Sequence, residues 1–308
     1  MIISEHPKHH EIFNLLNDYF IMSKNNLTLE SYKKFINYNN ENKYTIFDNI
    51  QNLNKVYLDS INDKNILKNK NVKLKTFSTD LPTFIKSQNK SAKTIMICAM
   101  DSLPPEPSSK NLTNHPVYNT FKQSNFDLEQ NINYWIPFSL VGENSDSNYQ
   151  FFKELNKFYH LYITDIFKLF FYVVEYDNSS DKILKIQKSN QFQVYKNIVN
   201  HSLILKKEIE IIKPECIITL GNNSRDQILK TIGGNELKKI KKWKECTNIQ
   251  EFDYFDETTD FKCKIYSSPH ISGSANGASS QLLKHHMDIE GDSKTIKMAN
   301  LLLKNISK

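Results

Sequence analysis

Four polar residues stand where short apolar runs end: Asp101, Asp165, Asn222 and His270. The last opens the stretch His270-Ile271-Ser272-Gly273-Ser274-Ala275-Asn276-Gly277, directly after the strand-like Lys262-Cys263-Lys264-Ile265-Tyr266. An imidazole at a strand end, beside small residues that leave backbone N–H groups free, suits an anionic leaving group and a phosphate held side by side. Asp101 follows the apolar run Thr94–Ala99 and precedes the proline-rich Leu103-Pro104-Pro105-Glu106-Pro107. It reads either as a turn former or as a carboxylate that orients water and stabilises a developing cation. Asp165 closes His160-Leu161-Tyr162-Ile163-Thr164, and reads as an N-cap, as a partner of Lys168, or as a ligand contact. Gly221-Asn222-Asn223-Ser224 reads as a helix cap with a backbone contact to phosphate.

The elements that must position these residues follow from hydrophobic patterning. Runs over 94–99, 160–163, 215–220 and 262–266 are short and apolar, as expected of strands buried on both faces. Helical patterns lie between and after them, over 148–159, 191–212 (ended by Pro214) and 293–306. Strands alternating with helices predict an α/β fold: three layers, α/β/α, around a central four-stranded parallel sheet. Ligands of such sheets sit at the carboxyl ends of the strands, where the four polar residues fall.

Residues 1–90 are expected to form a helical N-terminal extension, and 91–308 the α/β domain. Within the extension, His9 to Met22 puts Ile12, Phe13, Leu16, Tyr19 and Phe20 at helical spacing. Segments 37–44 and 62–72 are Asn-rich and read as loops.

Bulk properties narrow the function classes. The chain has 308 residues, 39% of them hydrophobic, and no apolar stretch near the roughly 18 residues of a membrane span. Its start lacks the apolar core of a signal peptide, so a cytoplasmic protein without a membrane partner is expected. Cys98, Cys216, Cys246 and Cys263 are scattered, which argues against a disulfide framework, a metal site or an iron–sulfur cofactor. The net charge of +6 permits a polyanionic partner. Arg225 is the only arginine, and lysine richness beside abundant Asn and Ile also fits an A+T-rich coding sequence. The run Lys238-Lys239-Ile240-Lys241-Lys242-Trp243-Lys244 reads as a solvated face or as a surface along a DNA backbone. His285-His286 reads as a surface pair rather than a metal site.

The ordered set of strand ends resembles the uracil-DNA glycosylase superfamily over about residues 93–306. Ala99-Met100-Asp101-Ser102 is similar to that family's first motif, of the form G-Q-D-P-Y-H or G-M-N-P-G, and His270-Ile271-Ser272-Gly273 to its last, H-P-S-P. Tyr162 to Lys168 resembles the strand that carries the base-reading residue, and Leu205 to Gly221 is the most family-like segment. The chain departs from the motifs at Ala99, Ser102, Ile271 and Gly273, and Ser274 stands where members place a bulky wedge.

The resemblance implies a monofunctional DNA glycosylase without cofactor or metal. It would flip a pyrimidine, hydrolyse the N-glycosidic bond and leave an abasic site. Asp101 and His270 would be catalytic. Asp165, Met100, Ser102, Asn222 and a stacking ring from Tyr118 or Phe121 would contact the substrate. Ser272, Gly273, Ser274, Asn276 and Lys168 would contact DNA phosphates. The departures point to a modified base, such as the glucosylated hydroxymethylcytosine of phage DNA, and hence to antiviral defence. Uracil or damaged-base repair is the alternative, on single- or double-stranded DNA. A non-catalytic DNA-binding module on the same fold is the reading from another class. An unrelated nucleotide-binding α/β protein is disfavoured by the lack of a G-x-G-x-x-G or P-loop motif. No protein partner is implied.

Overall fold

A computed structural model describes residues 3–4, 6–19, 76–80, 82–101, 132–135, 147–177, 182–188, 201–232, 234–271 and 276–308. Strands β1 (Ile3–Ser4), β3 (Thr83–Ile85), β4 (Thr94–Asp101), β6 (His160–Phe167), β9 (Cys216–Leu220), β10 (Gln250–Asp256) and β11 (Phe261–Ser268) form one mixed sheet. Its order is β1-β3-β6-β4-β9-β11-β10. The neighbours β6, β4, β9 and β11 run parallel, while β3 and β10 pair antiparallel at the two sides. These inner strands are the apolar runs of the sequence, and Ile95, Ile97, Leu161, Ile217 and Ile218 are fully buried. Each such side chain contributes about 1.5–3 kcal/mol relative to exposure.

Helices cover both faces. Among the described residues these are α1 (His9–Tyr19), α2 (Ser147–Asn156), α3 (His201–Ile212), α4 (Asn222–Ile232), α5 (Asn276–Leu283) and α6 (Lys294–Ile306). Phe151, Phe152 and Leu155 of α2, Leu282 of α5, and Met298, Leu301 and Leu302 of α6 pack on the face carrying Ile95, Ile97, Ile163 and Ile218. The opposite face, with Tyr162 and Thr164, meets α3; α1 and α4 pack beside α3. Lys213 ends α3 with φ 48, its N–H returning to Ile209 O at 2.7 Å, and Pro214 prevents continuation. Ser293 starts α6 by accepting the Ile296 N–H at 3.2 Å. None of the helices among the described residues is long and apolar enough to cross a membrane.

A second sheet of β5 (Ile132–Trp135), β2 (Thr76–Asp80), β7 (Leu169–Asp177) and β8 (Lys182–Lys188), in the order β5-β2-β7-β8, is an addition to the expected architecture. Between β6 and β7 the chain passes from one sheet to the other through Lys168 alone, since β6 ends at Phe167 and β7 begins at Leu169. The segment 1–90, expected to be helical, also supplies strands: β1 and β3 extend the main sheet and β2 the second one. The N-terminal helix buries Ile12 and Leu15. The expected loops at 37–44 and 62–72 and the first part of the 191–212 helix lie outside the described residues.

Candidate active site at the carboxyl ends of the central strands

Strand register sets the level of each candidate residue. Thr164, Cys98, Thr219 and Ser267 are successive partners across β6, β4, β9 and β11. Three residues further along the chain stand Phe167 and Asp101, still in their strands, and Asn222 and His270, past the ends of β9 and β11. Asp101 is the Cα partner of Phe167, and β9 and β11 remain paired as far as Leu220 with Ser268. Asp101 and His270 therefore both lie on the carboxyl-end side of the sheet, Asp101 as the last residue of β4 and His270 two residues past the end of β11. Their strands are separated by β9, which amounts to about 10 Å across two strand spacings.

His270 is half-buried and lies across Gly221. A methyl group at Gly221 would meet its Cβ at 3.4 Å and its Cδ2 at 3.7 Å. Gly221 has φ +88, a conformation that L side chains rarely adopt, and its N–H donates to Ser268 O at 2.8 Å. One glycine thus ties the end of β9 to the end of β11 and leaves room for the ring. Ser224 fastens the turn from the other side, donating to the carbonyls of Leu220 at 2.6 Å and Gly221 at 3.1 Å. Asn222 is exposed as the first residue of α4, so the helix begins directly after the Gly221 turn at the carboxyl end of β9.

Two sequence expectations need correction. Asp165 does not end its strand; β6 runs on to Phe167, and Asp165 is the Cα partner of Ala99, two residues short of Asp101. Its exposure is only 5%, whereas neighbouring Ala99 and Met100 are half-buried. Lys168, expected at a DNA phosphate, is buried inside the protein. Its Nζ lies 2.9 Å from Glu208 Oε2 and hydrogen-bonds Thr164 Oγ1, with side-chain exposures of 2% for Lys168 and 0% for Glu208. Tyr162 and Thr164 donate their hydroxyls to Glu208 Oε1 at 2.6 and 2.8 Å. A buried carboxylate is tolerable only when paired and hydrogen-bonded in this way.

Sequence reasoning gave Glu208 no role and read Gly221 only as part of a helix cap. Glu208 shares the buried face of α3 with Ile204, Leu205, Ile209 and Ile212, so its place in an apolar stripe was the available signal. In the row beneath the site, beside Cys98, Thr219 Oγ1 and Ser267 Oγ are fully buried and find no hydrogen-bond partner among the described residues.

The remaining candidates separate cleanly. Ser102, Tyr118, Phe121, Ser272, Gly273 and Ser274 lie outside the described residues, and of Asn276 only its place at the start of α5 is described. Arg225 is buried, donates Nε–H to Asp226 at 2.8 Å and sits 5.8 Å over the Trp243 ring. His286 Nε2 is 2.8 Å from Thr247 O. Among the described residues no group of three or more His, Cys, Asp and Glu is placed to hold a metal ion. Burial pushes the Cys216 and Cys263 thiols up, Cys263 to about 12, which keeps them un-ionised. No protein-family model matches this chain, and no curated protein matches it.

Proposed function

We propose that the chain is a monofunctional DNA glycosylase of the uracil-DNA glycosylase kind, acting on a modified pyrimidine, with glucosylated hydroxymethylcytosine of phage DNA as the leading substrate. The observation that supports this most is that Asp101 ends β4 and His270 follows the end of β11, two parallel-running strands with one strand between them. That gap of about 10 Å accommodates a flipped nucleotide with its sugar toward one strand end and its base toward the other.

In this reading the N-glycosidic bond breaks dissociatively, giving an oxocarbenium sugar and an anionic base. The Asp101 carboxylate stabilises the cation and orients the water that attacks C1′, and the water's proton is lost as the abasic sugar forms. His270 hydrogen-bonds the base oxygen on which negative charge accumulates. Asp165, one strand over and two residues deeper, accepts from an amino-bearing edge such as cytosine N4–H₂. Half-buried Ala99 beside it has a side chain small enough to leave the base an approach.

The test is mass spectrometry of bases released from DNAs containing uracil, cytosine, hydroxymethylcytosine and its glucosylated form. Release of the glucosylated base is expected, with Asp101→Ala lowering the rate by orders of magnitude while the fold persists. His270→Ala is expected to slow the single-turnover step far more than it weakens binding. Release from none of these DNAs, or full activity in Asp101→Ala, overturns the proposal.

A further inference from the structure

The lysine run 238–244 is not used by the reaction above, yet the fold brings it to the same end of the sheet. Gln250 opens β10 as the Cα partner of Ser267, three residues before His270. The Lys241 N–H donates to Gln250 Oε1 at 2.9 Å, which fixes the lysine turn beside that strand end. The turn is held firmly: Trp243 is buried beneath the Arg225 guanidinium, and Cys246 Sγ contacts Lys242 O at 3.2 Å.

Its charges are left open in a way that others nearby are not. Lys262, Lys264 and Lys304 each hold a carboxylate, and Lys239 is taken by Glu236 at 2.5 Å. Lys238, Lys241, Lys242 and Lys244 are exposed and have no carboxylate partner among the described residues. Beside them an open recess of about 440 Å³ is lined by Lys239, Lys241, Thr247, Asn248 and Gln250, with Glu245 and Glu251 also present. Lys264 holds Glu251 at 2.8 Å, which leaves Lys241 opposite Glu245 in the recess, while Lys238, Lys242 and Lys244 add their charge on the turn beside it.

We propose that this turn and recess form the phosphate grip of the protein, engaging the phosphodiester backbone of the DNA strand that flanks the nucleotide at the Asp101–His270 site. The inference rests on the proposed function for its choice of polyanion. Its own content is a place: the side of the site beyond β11, one strand further from Asp101 than His270 is. Ammonium groups on flexible stems grip phosphates without reading bases, so the contact is independent of sequence.

The experiment compares two variants of the full chain that lose the same charge. One is Lys241→Gln/Lys242→Gln/Lys244→Gln. The other is Lys86→Gln/Lys90→Gln/Lys213→Gln, whose exposed lysines lie at the opposite end of the sheet, near the starts of β4, β6 and β9. Fluorescence anisotropy with an unmodified labelled 20-mer, as duplex and as single strand, gives affinity against salt. Each lost phosphate contact lowers the slope of log K against log salt by about 0.9 on duplex and about 0.7 on single strand. The first variant is expected to lose about 2–3 from the duplex slope and tenfold or more in affinity, and the second to match the wild type.

Equal changes in both variants, or none in either, overturn the proposal. So does a first-variant defect seen only with phosphatidylserine vesicles and not with DNA. The two proposals fail separately: unmodified DNA needs no chemistry, so a turn that grips DNA in a protein releasing no base sinks only the glycosylase reading. Base release with an unchanged salt slope in the first variant sinks only this one.

Discussion

Replacing Lys168 with methionine asks what its ammonium is for. Lys168 is the single residue between β6 and β7, and its Nζ sits 2.9 Å from Glu208 in a setting with almost no solvent. At that separation the attraction is about 6 kcal/mol with an effective dielectric near 20. Relief of the lysine's own desolvation offsets part of it, and breaking a buried pair from one side costs about 3–5 kcal/mol. A domain's whole stability is about 5–15 kcal/mol, so Lys168→Met removes about a fifth of it or more.

Glu208 would keep the hydroxyls of Tyr162 and Thr164 but no counter-charge. Lys168→Met/Glu208→Gln removes the orphaned charge and retains an acceptor for both hydroxyls. It should recover at least half of the loss. Urea unfolding followed by circular dichroism at pH 7 gives the free energies, with equal m-values as the check on two-state behaviour. DNA affinity of the folded single variant should be unchanged. A Lys168→Met protein with wild-type stability and weakened DNA binding would refute the structural role and return Lys168 to phosphate.

Gly221→Ala places a side chain at φ +88 and against His270. A loss of about 1–2 kcal/mol in urea unfolding is expected, with base release falling further than DNA affinity; unaltered release would show that His270 does not depend on the glycine. Asp165→Asn should shift the released bases from cytosine-type toward uracil-type, and an unchanged profile in the mass-spectrometric panel removes Asp165 from base reading. His6 and His9 have pKa values lowered to about 4 and about 3, chiefly because burial disfavours their charged forms. Their contribution to stability is therefore complete above pH 6.5 and is lost as pH falls through about 4 and then about 3. Near pH 5 unfolding takes up about two protons, so stability should drop by roughly 2.5 kcal/mol per pH unit. In His6→Asn/His9→Asn the slope of unfolding free energy against pH should flatten, and an equal slope in both proteins excludes these histidines as its source.

The inner strands were legible because burial on both faces demands unbroken apolar runs, and Thr94–Ala99 and Cys216–Leu220 carry them. Edge strands carry less signal. In β10 the inward positions include Gln250 and Asp256, so alternation of charge hides a buried face. Asp256 is kept there by Lys206 at 2.8 Å and by the Thr258 N–H and Thr259 hydroxyl of the following turn, a combination that holds its carboxyl well below the usual range. The end of β6 was misplaced for a similar reason. Asp165 looks like a strand terminator, yet the strand continues to Phe167, and Lys168 just after it is neutralised by a helix 40 residues away. That Asp101 ends β4 and His270 follows β11 could be anticipated from the ends of the apolar runs. The contact between Gly221 and His270 could not, because it depends on the pairing of β9 with β11.

The distribution of cations constrains how discrimination can work. The single arginine is committed to Asp226 and Trp243, so no guanidinium fork is left for bidentate reading of guanine among the described residues. The open cations of the 238–244 turn are lysines, which measure phosphate spacing and not base identity. On the proposed reading, affinity for an unflipped duplex is therefore nearly the same for every sequence and falls steeply with salt. Selection is left to the flipped base, at Asp165 beside Ala99 and at His270 against Gly221. A modified pyrimidine and its unmodified counterpart should then bind alike and differ in the rate of bond breaking, a separation that equilibrium titration and single-turnover kinetics on the same two DNAs will show or deny.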